Sequence, residues 1–325
     1  MEDSFNKRYI FKLLSNLVGL AAGFLIQALI PRGLGPKAYG DFNFLTSFFT
    51  QFVNFFDMGS SIGFYTKLSQ RPKEKPLVSF YFYFVGIVAV ALIIFVVFAQ
   101  VSSAYVFIWP KQNLLYIYLG LIWALGTWLV QIIEKMTDAY GLTVLAEKAR
   151  MIQKFLGLII ILVLFTLHML SIITLFFYHY VILAFISVAS IWVMEFKGYS
   201  LQLRQKLSKN DVKAYIKEFY KYTHPLLIYG LVSMLANIFD RWLLQVANGS
   251  VQQGFYSLSL QIGTLCFLFT GAMTPLLTRE LAICFSDMCR CCIPWRPIFL
   301  VLWRSRRTRS SISWEGESFR GRCWP

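Results

Sequence analysis

The forty residues FLGLIIILVLFTLHMLSIITLFFYHYVILAFISVASIWVM, Phe155 to Met194, contain no Lys, Arg, Asp or Glu. As one helix they would reach about 60 Å at ~1.5 Å per residue, twice the ~30 Å hydrocarbon core of a bilayer. They must therefore fold into two crossings, with a tight turn near His168 to Ser171. Each crossing has to be helical, because lipid offers backbone N–H and C=O groups no outside partner.

Uncharged runs of similar character recur on both sides of this stretch. They assign spans to residues 13–31, 42–65, 77–99, 114–133, 152–168, 172–194, 225–247 and 254–278. The run from Trp242 to Thr278 is again too long for one crossing, and Asn248, Gly249, Ser250 and Gly254 divide it. The expected fold class is all-α: a polytopic membrane protein with eight predicted transmembrane helices. Composition agrees, since 57% of the 325 residues are apolar and 14% charged, against about 25% charged in soluble domains. Little chain remains for a separate soluble catalytic domain. The net charge of +15 would suggest nucleic acid in a soluble protein, but here the cations fall in blocks between apolar runs. The opening MEDSFNKRYIFK leads into a full-length apolar stretch, so no cleavable signal peptide is expected. With the amino end inside, the inner segments collect eighteen Lys and Arg and the outer loops only Arg32, Lys37 and Lys111. That asymmetry puts the amino end in the cytoplasm.

Polar residues within the spans form stripes. Asn43, Thr46, Ser47, Thr50, Gln51, Asn54, Asp57 and Ser61 fall on one face of the second span, opposite Phe48, Phe52, Phe55 and Phe56. The seventh repeats this with Gly230, Ser233, Asn237, Asp240, Arg241, Gln245 and Asn248. The first carries Asn16, Gly19, Gly23 and Gln27, and the eighth Gly254, Ser257, Gln261 and Thr264. The fourth has a weaker stripe ending at Glu134, and spans three, five and six read as lipid-facing wall. Such stripes serve either helix packing, as Gly19-x-x-x-Gly23 suggests, or a wet cavity. Asp240 and Arg241 favour the cavity over a structural ion pair. They lie past the midplane, where an ionised group costs at least ~2.5 kcal/mol, and adjacent residues point about 100° apart. Asp57 and Glu134 lie close enough to the inner interface to be solvated, and His168 and His179 read as interfacial. No catalytic triad, P-loop, dinucleotide fingerprint or metal motif is present, so neither an enzyme nor an ATP-driven pump is expected, and no cofactor.

The loop Leu34-Gly35-Pro36-Lys37-Ala38-Tyr39-Gly40-Asp41-Phe42 shares its glycine spacing with Asn248-Gly249-Ser250-Val251-Gln252-Gln253-Gly254-Phe255-Tyr256. Both glycine pairs are 214 positions apart, which suggests two parallel six-helix halves. With Pro31-Arg32-Gly33 ahead of the first loop, Phe56-Asp57-Met58-Gly59, and Ile238-Phe239-Asp240-Arg241-Trp242-Leu243-Leu244, the chain resembles the bacterial polysaccharide flippases over about residues 7 to 282. Their superfamily also holds multidrug antiporters. The resemblance implies two six-helix bundles around a central cavity, here a complete first bundle (1–195), a cytoplasmic linker (196–224) and two helices of the second (225–284). It implies an undecaprenyl-diphosphate-linked oligosaccharide moved across the bacterial cytoplasmic (inner) membrane by alternating access. The expected partners are that lipid-linked substrate, membrane lipids and H+ or Na+ as coupling ion, with no nucleic acid. The cavity candidates are Arg241, Asp240, Asn237, Gln245, Asn54, Asp57, Gln51, Gln27, Asn16, Gln261 and, at the outer mouth, Arg32. Arg241 is the best placed for diphosphate, because a guanidinium's forked donors match phosphate oxygens.

Two rival functions remain: a cation-coupled multidrug antiporter using Asp240 or Asp57, and a membrane glycosyl- or acyltransferase, for which the chain lacks a sizeable acidic loop. In the linker, Ser208 to Tyr222 reads as an amphipathic helix along the headgroups. Ser208 and Asp211 form a capping pattern, Val212, Tyr215, Ile216, Phe219 and Tyr220 share one face, and Lys209, Lys213, Lys217 and Lys221 occupy the others. Residues 285–325 differ in kind, with eight Arg and no Lys, four of the six Cys and four of the nine Trp. We expect a frameshift near residue 285, leaving half a cavity and putting transport by this chain alone in question. The alternative is a basic, cysteine-rich regulatory tail, although C-x-C-C matches no standard zinc spacing.

Overall fold

The computed structural model describes residues 5–72, 74–199, 209–224 and 227–263, for residues 5–18, 20, 209, 210 and 222 the backbone alone. Span eight beyond residue 263, Ser208 of the capping pattern and the 285–325 tail lie outside the described residues. Helices run in the order α1 (Phe5–Asp57), α2 (Ser60–Gln70), α3 (Lys75–Val101), α4 (Tyr105–Ile108), α5 (Leu114–Ala139), α6 (Thr143–Thr166), α7 (Ile172–Phe196), α8 (Lys209–Thr223) and α9 (Leu227–Ala247). A helical segment follows over 250–263, and no strand occurs among the described residues. Five of the helices, α3, α5, α6, α7 and α9, are long and apolar enough to cross a membrane. Residues up to Leu260 form one compact unit.

The sequence-based boundaries hold best where a span ends on a capping residue. Asn113 accepts from the Leu115 amide at 3.0 Å and opens α5. Ser171 accepts from the Thr174 amide at 3.2 Å and opens α7, closing the turn expected at His168 to Ser171. Four boundaries are corrected. Spans one and two are separated by a kink rather than a loop: α1 comprises two helices joined at Gly35, whose angles alone are non-helical at φ 78°. Glycine tolerates that angle, and Pro36 then stands in a first-turn position where its missing N–H is no loss. Span two does not run to residue 65, because Met58 and Gly59, both at positive φ, break it into α1 and α2. The eighth helix begins at Ser250 rather than Gly254, leaving Asn248 and Gly249 as the turn. Finally, α6 starts at Thr143, nine residues ahead of the expected position.

The main core lies between α1, α3 and α5. Phe44, Phe48 and Phe49 of α1 pack with Trp109, Tyr81 and Leu121, all nearly inaccessible. The phenylalanine side of span two is therefore interior, while its polar side is mixed: Thr46 and Ser61 are buried and Asn54 is exposed. A smaller cluster joins Ile30, Tyr39 and Phe42 of α1 to Ile161 of α6 and Leu175 and Phe176 of α7. His179 is not interfacial as expected. It stacks on Phe42 at 5.3 Å between ring centroids and meets Trp123 edge-on.

Outward-facing apolar side chains are plentiful on α3, α6 and α9, for example Phe98, Ile159 and Ile228. In water a surface of this kind would be a large apolar patch; in a bilayer it is the solvent-facing side. These helices also carry buried polar groups near their ends: Ser79 and Tyr81 close to the Lys75 end of α3 and, ahead of the residues assigned to span five, Glu147 of α6.

Candidate functional site

Helix α9 runs antiparallel to the second part of α1. A methyl placed on Gly230 would touch Phe55, whereas Gly40 lies against Ser250 and Gly254 just past the other end of α9. The contact at that end is reciprocal. A Cβ on Gly40 would collide with the Ser250 carbonyl oxygen, and a Cβ on Gly254 with the Pro36 carbonyl oxygen. Pro36 and Ser250, like Gly40 and Gly254, are 214 positions apart, so the crossing repeats itself when the two segments are exchanged. Only glycine lets two backbones approach this closely.

Beside the crossing stands Arg241, half-buried, about 21 Å along α9 from Leu227. Its Nη1 donates to Ser257 Oγ at 3.3 Å, and its guanidinium lies over the Tyr256 ring at 5.7 Å. Among the described residues no carboxylate lies within 4.0 Å of it. A guanidinium carries five N–H donors, so most of its donor capacity is available to a ligand. One turn further on, Gln245 is fully buried and donates to Ser250 Oγ at 3.0 Å and to the Pro110 carbonyl at 3.3 Å. Its Oε1 has no hydrogen-bond partner among the described residues, nor has either end of the buried Gln253 side chain. The carboxyl end of α9 thus gathers two buried amide side chains, Gln245 and Gln253, with the Arg241 guanidinium one turn before Gln245.

The remaining candidates divide. Asp240 and Asn237 are exposed, and Asn237 donates to the Ser233 carbonyl at 2.7 Å. On α1, Gln51 is half-buried and Asn54 exposed. Gln27 and Arg32 are exposed on either side of Pro31. Gln261 belongs to the second unit and is half-buried, and the Asn16 side chain lies outside the described residues. Asp57, expected to be solvated, has both carboxylate oxygens engaged. Ser61 Oγ donates at 2.6 Å, and the Ser61 amide, Ser60 Oγ, Tyr81 Oη and Trp128 Nε1 donate at 3.2 Å each. It caps α2 across the Met58-Gly59 break, as an acidic group at a helix N-terminus does.

Glu134, also expected to be solvated, is half-buried in a triad with the buried Glu147: Arg150 Nε donates to Glu134 at 2.9 Å and Arg150 Nη1 to Glu147 at 2.5 Å. Sequence reading overlooked this triad because α6 begins earlier than its apolar run. It also overlooked Gln112, whose Nε2 donates to Asp41 Oδ1 at 2.6 Å; the signal available was the acidic residue standing directly after Gly40. Among the described residues no three His, Cys, Asp or Glu side chains gather closely enough to hold a metal ion.

A chain that is helical and free of strands in its described residues, with several apolar helices able to cross a membrane and a guanidinium that has no carboxylate partner among those residues, is a multi-pass membrane protein of transporter type. Comparison with known families places it more narrowly. The model of the polysaccharide biosynthesis protein family matches residues 6–277, and the chain belongs to that family, whose members are flippase-like proteins of polysaccharide biosynthesis. No curated protein and no solved structure gives a significant match.

Proposed function

We propose that this chain carries an undecaprenyl-diphosphate-linked oligosaccharide from the cytoplasmic to the outer leaflet of a bacterial inner membrane by alternating access. In this reading the amino end is cytoplasmic, eight crossings make up the chain, and residues 1–195 and 225–284 belong to two bundles facing one cavity. H+ or Na+ supplies the coupling. Family membership supports the cargo class. The observation that carries the site is Arg241, a guanidinium deep along a membrane helix with no carboxylate partner among the described residues. A cation at that depth is stable only with water or an anionic ligand, and diphosphate oxygens fit its geometry. The antiporter reading loses ground, because Asp57, one of its two candidate coupling carboxylates, is already fixed by the α2 cap.

The test compares binding of undecaprenyl diphosphate and undecaprenol to the detergent-purified chain and its Arg241→Ala and Arg241→Lys variants. A charged hydrogen bond contributes about 1.5–3 kcal/mol, so Arg241→Ala should weaken diphosphate binding at least tenfold and leave undecaprenol unchanged. Equal affinity of the unaltered chain for both lipids would remove Arg241 as the diphosphate site. Complementation of a flippase-deletion strain, scored by surface polysaccharide, tests transport itself.

A further inference from the structure

At the opposite end of the molecule from Arg241, α8 lies against α2 and α3. A groove of about 270 Å³ opens there, walled by Phe80 and Phe84 of α3 and by Ile216, Phe219 and Tyr220 of α8, with Phe56 and Met58 behind. Phe80 and Phe84 stand about 7 to 14 Å inside the Lys75 end of α3 at ~1.5 Å per residue, which is acyl-chain depth in one leaflet of a ~30 Å core. The walls are almost wholly apolar, and the volume is just below the ~300 Å³ at which sites for drug-sized molecules begin. That suits part of one hydrocarbon chain and excludes a sugar.

The chemistry along α8 changes in strips around its axis. Tyr215 and Phe219 make tilted ring contacts with Phe80, at 5.3 and 5.7 Å between centroids, and anchor the helix. Lys67 pairs with Glu218 on the α2 side, with Arg71 nearby at 3.9 Å. Tyr215 Oη donates to Glu74 at 2.5 Å. Next round come Ile216 and Tyr220, more than half exposed although they lie on the apolar face. At 100° per residue, Lys213, Lys217 and Lys221 follow immediately beyond them. All three are exposed, and none pairs with a carboxylate among the described residues. Of the two acids on this helix, Glu218 is turned away to Lys67, and Asp211 makes no ion pair with these lysines among the described residues.

An apolar slot at acyl depth, edged by a row of unpaired lysines, has the polarity order of an anionic lipid. We infer that the groove between α8 and α3 binds one anionic phospholipid of the surrounding membrane, an acyl chain between Phe84 and Tyr220 and the phosphate on Lys213, Lys217 and Lys221. The bound lipid holds α8 on the bundle.

The experiment is native mass spectrometry of the full chain in detergent, titrated with palmitoyl-oleoyl phosphatidylglycerol or phosphatidylcholine. Each lysine at a membrane surface contributes about fivefold in affinity for an anionic lipid. One phosphatidylglycerol should stay bound per chain, at least tenfold more tightly than phosphatidylcholine. The K213Q/K217Q/K221Q variant should bind both lipids at the phosphatidylcholine level, and Thr223→Trp, which fills the groove, should lower retention of both. Should Thr223→Trp fail to fold, the lysine variant decides, since its substitutions are on exposed positions. Unchanged phosphatidylglycerol binding in the lysine variant overturns the inference. So does one-for-one displacement of phosphatidylglycerol by undecaprenyl phosphate, which would assign the groove to cargo. Neither readout involves Arg241 or transport, so failure here leaves the proposed function standing on its own test.

Discussion

Gly40→Ala is the sharpest perturbation the structure offers. The added methyl would sit inside the contact distance of the Ser250 carbonyl, 2.8 Å from the Gly254 nitrogen and 2.9 Å from the Ser250 carbonyl carbon. These are backbone atoms, which cannot rotate aside, so α1 and the 250–263 segment must separate. Overpacking costs about 1–3 kcal/mol, and a clash with backbone belongs at the upper end. Alanine's helix propensity returns about 1 kcal/mol, leaving a net destabilisation of about 2 kcal/mol. For a chain of this size that lowers the melting temperature by roughly 4–8 °C, taking ~2–4 °C per kcal/mol. Gly23→Ala is the matched control: nothing lies within 4 Å of the added methyl, so only the propensity gain remains and the protein should be as stable or slightly more so. Circular dichroism melting in detergent distinguishes the two. Gly254→Ala should reproduce the loss, and the double variant should lose less than the sum, because both methyls open the same crossing. A Gly40→Ala protein that melts with the Gly23→Ala control would refute the close approach and the symmetry built on it.

Arg150→Met should destabilise the fold by about 3 kcal/mol, the lower end of the range for a broken buried pair, since it strands the buried Glu147 and the half-buried Glu134; adding Glu147→Gln and Glu134→Gln should recover much of the loss in the same melting assay, and no recovery would disprove the triad. Asp57→Ala removes several hydrogen bonds at once and should cost roughly 2–3 kcal/mol, with faster proteolysis near Met58-Gly59 as its local signature. Burial and the bond to Glu74 push the Tyr215 hydroxyl above the ordinary 10.0. The unfolded chain releases that proton first, so its stabilising effect is complete below pH 10 and fades as pH rises beyond it. The melting temperature of the unaltered protein should therefore fall faster between pH 9 and 11 than that of Tyr215→Phe, and parallel curves would dismiss the effect.

Crossing segments were legible because insertion into lipid is a local property, summed residue by residue over about 20 positions. The ends of α5 and α7 were legible for a similar reason, since Asn113 and Ser171 cap within three residues of themselves. The kink within α1 was not, because Gly35 next to Pro36 reads equally as a loop or as a kink between two helices. The stripe on α9 was found from periodicity, but its division was invisible: Gln245 and Arg241 turn inward while Asn237 and Asp240 face outward. Which sector is covered depends on where α1 lies, and no residue of α9 records that.

The linear chain alone established the all-helical membrane class, the amphipathic α8 and the spacing of paired glycines 214 positions apart. Folding in space decided that those glycines touch one another, that Asp57 caps a helix, and that Glu134 shares an arginine with Glu147. The first group follows from transfer of consecutive side chains between water and lipid, a sum over neighbours in sequence. The second follows from hydrogen bonds and steric contact between residues far apart in sequence, which exist only once the helices have chosen their partners.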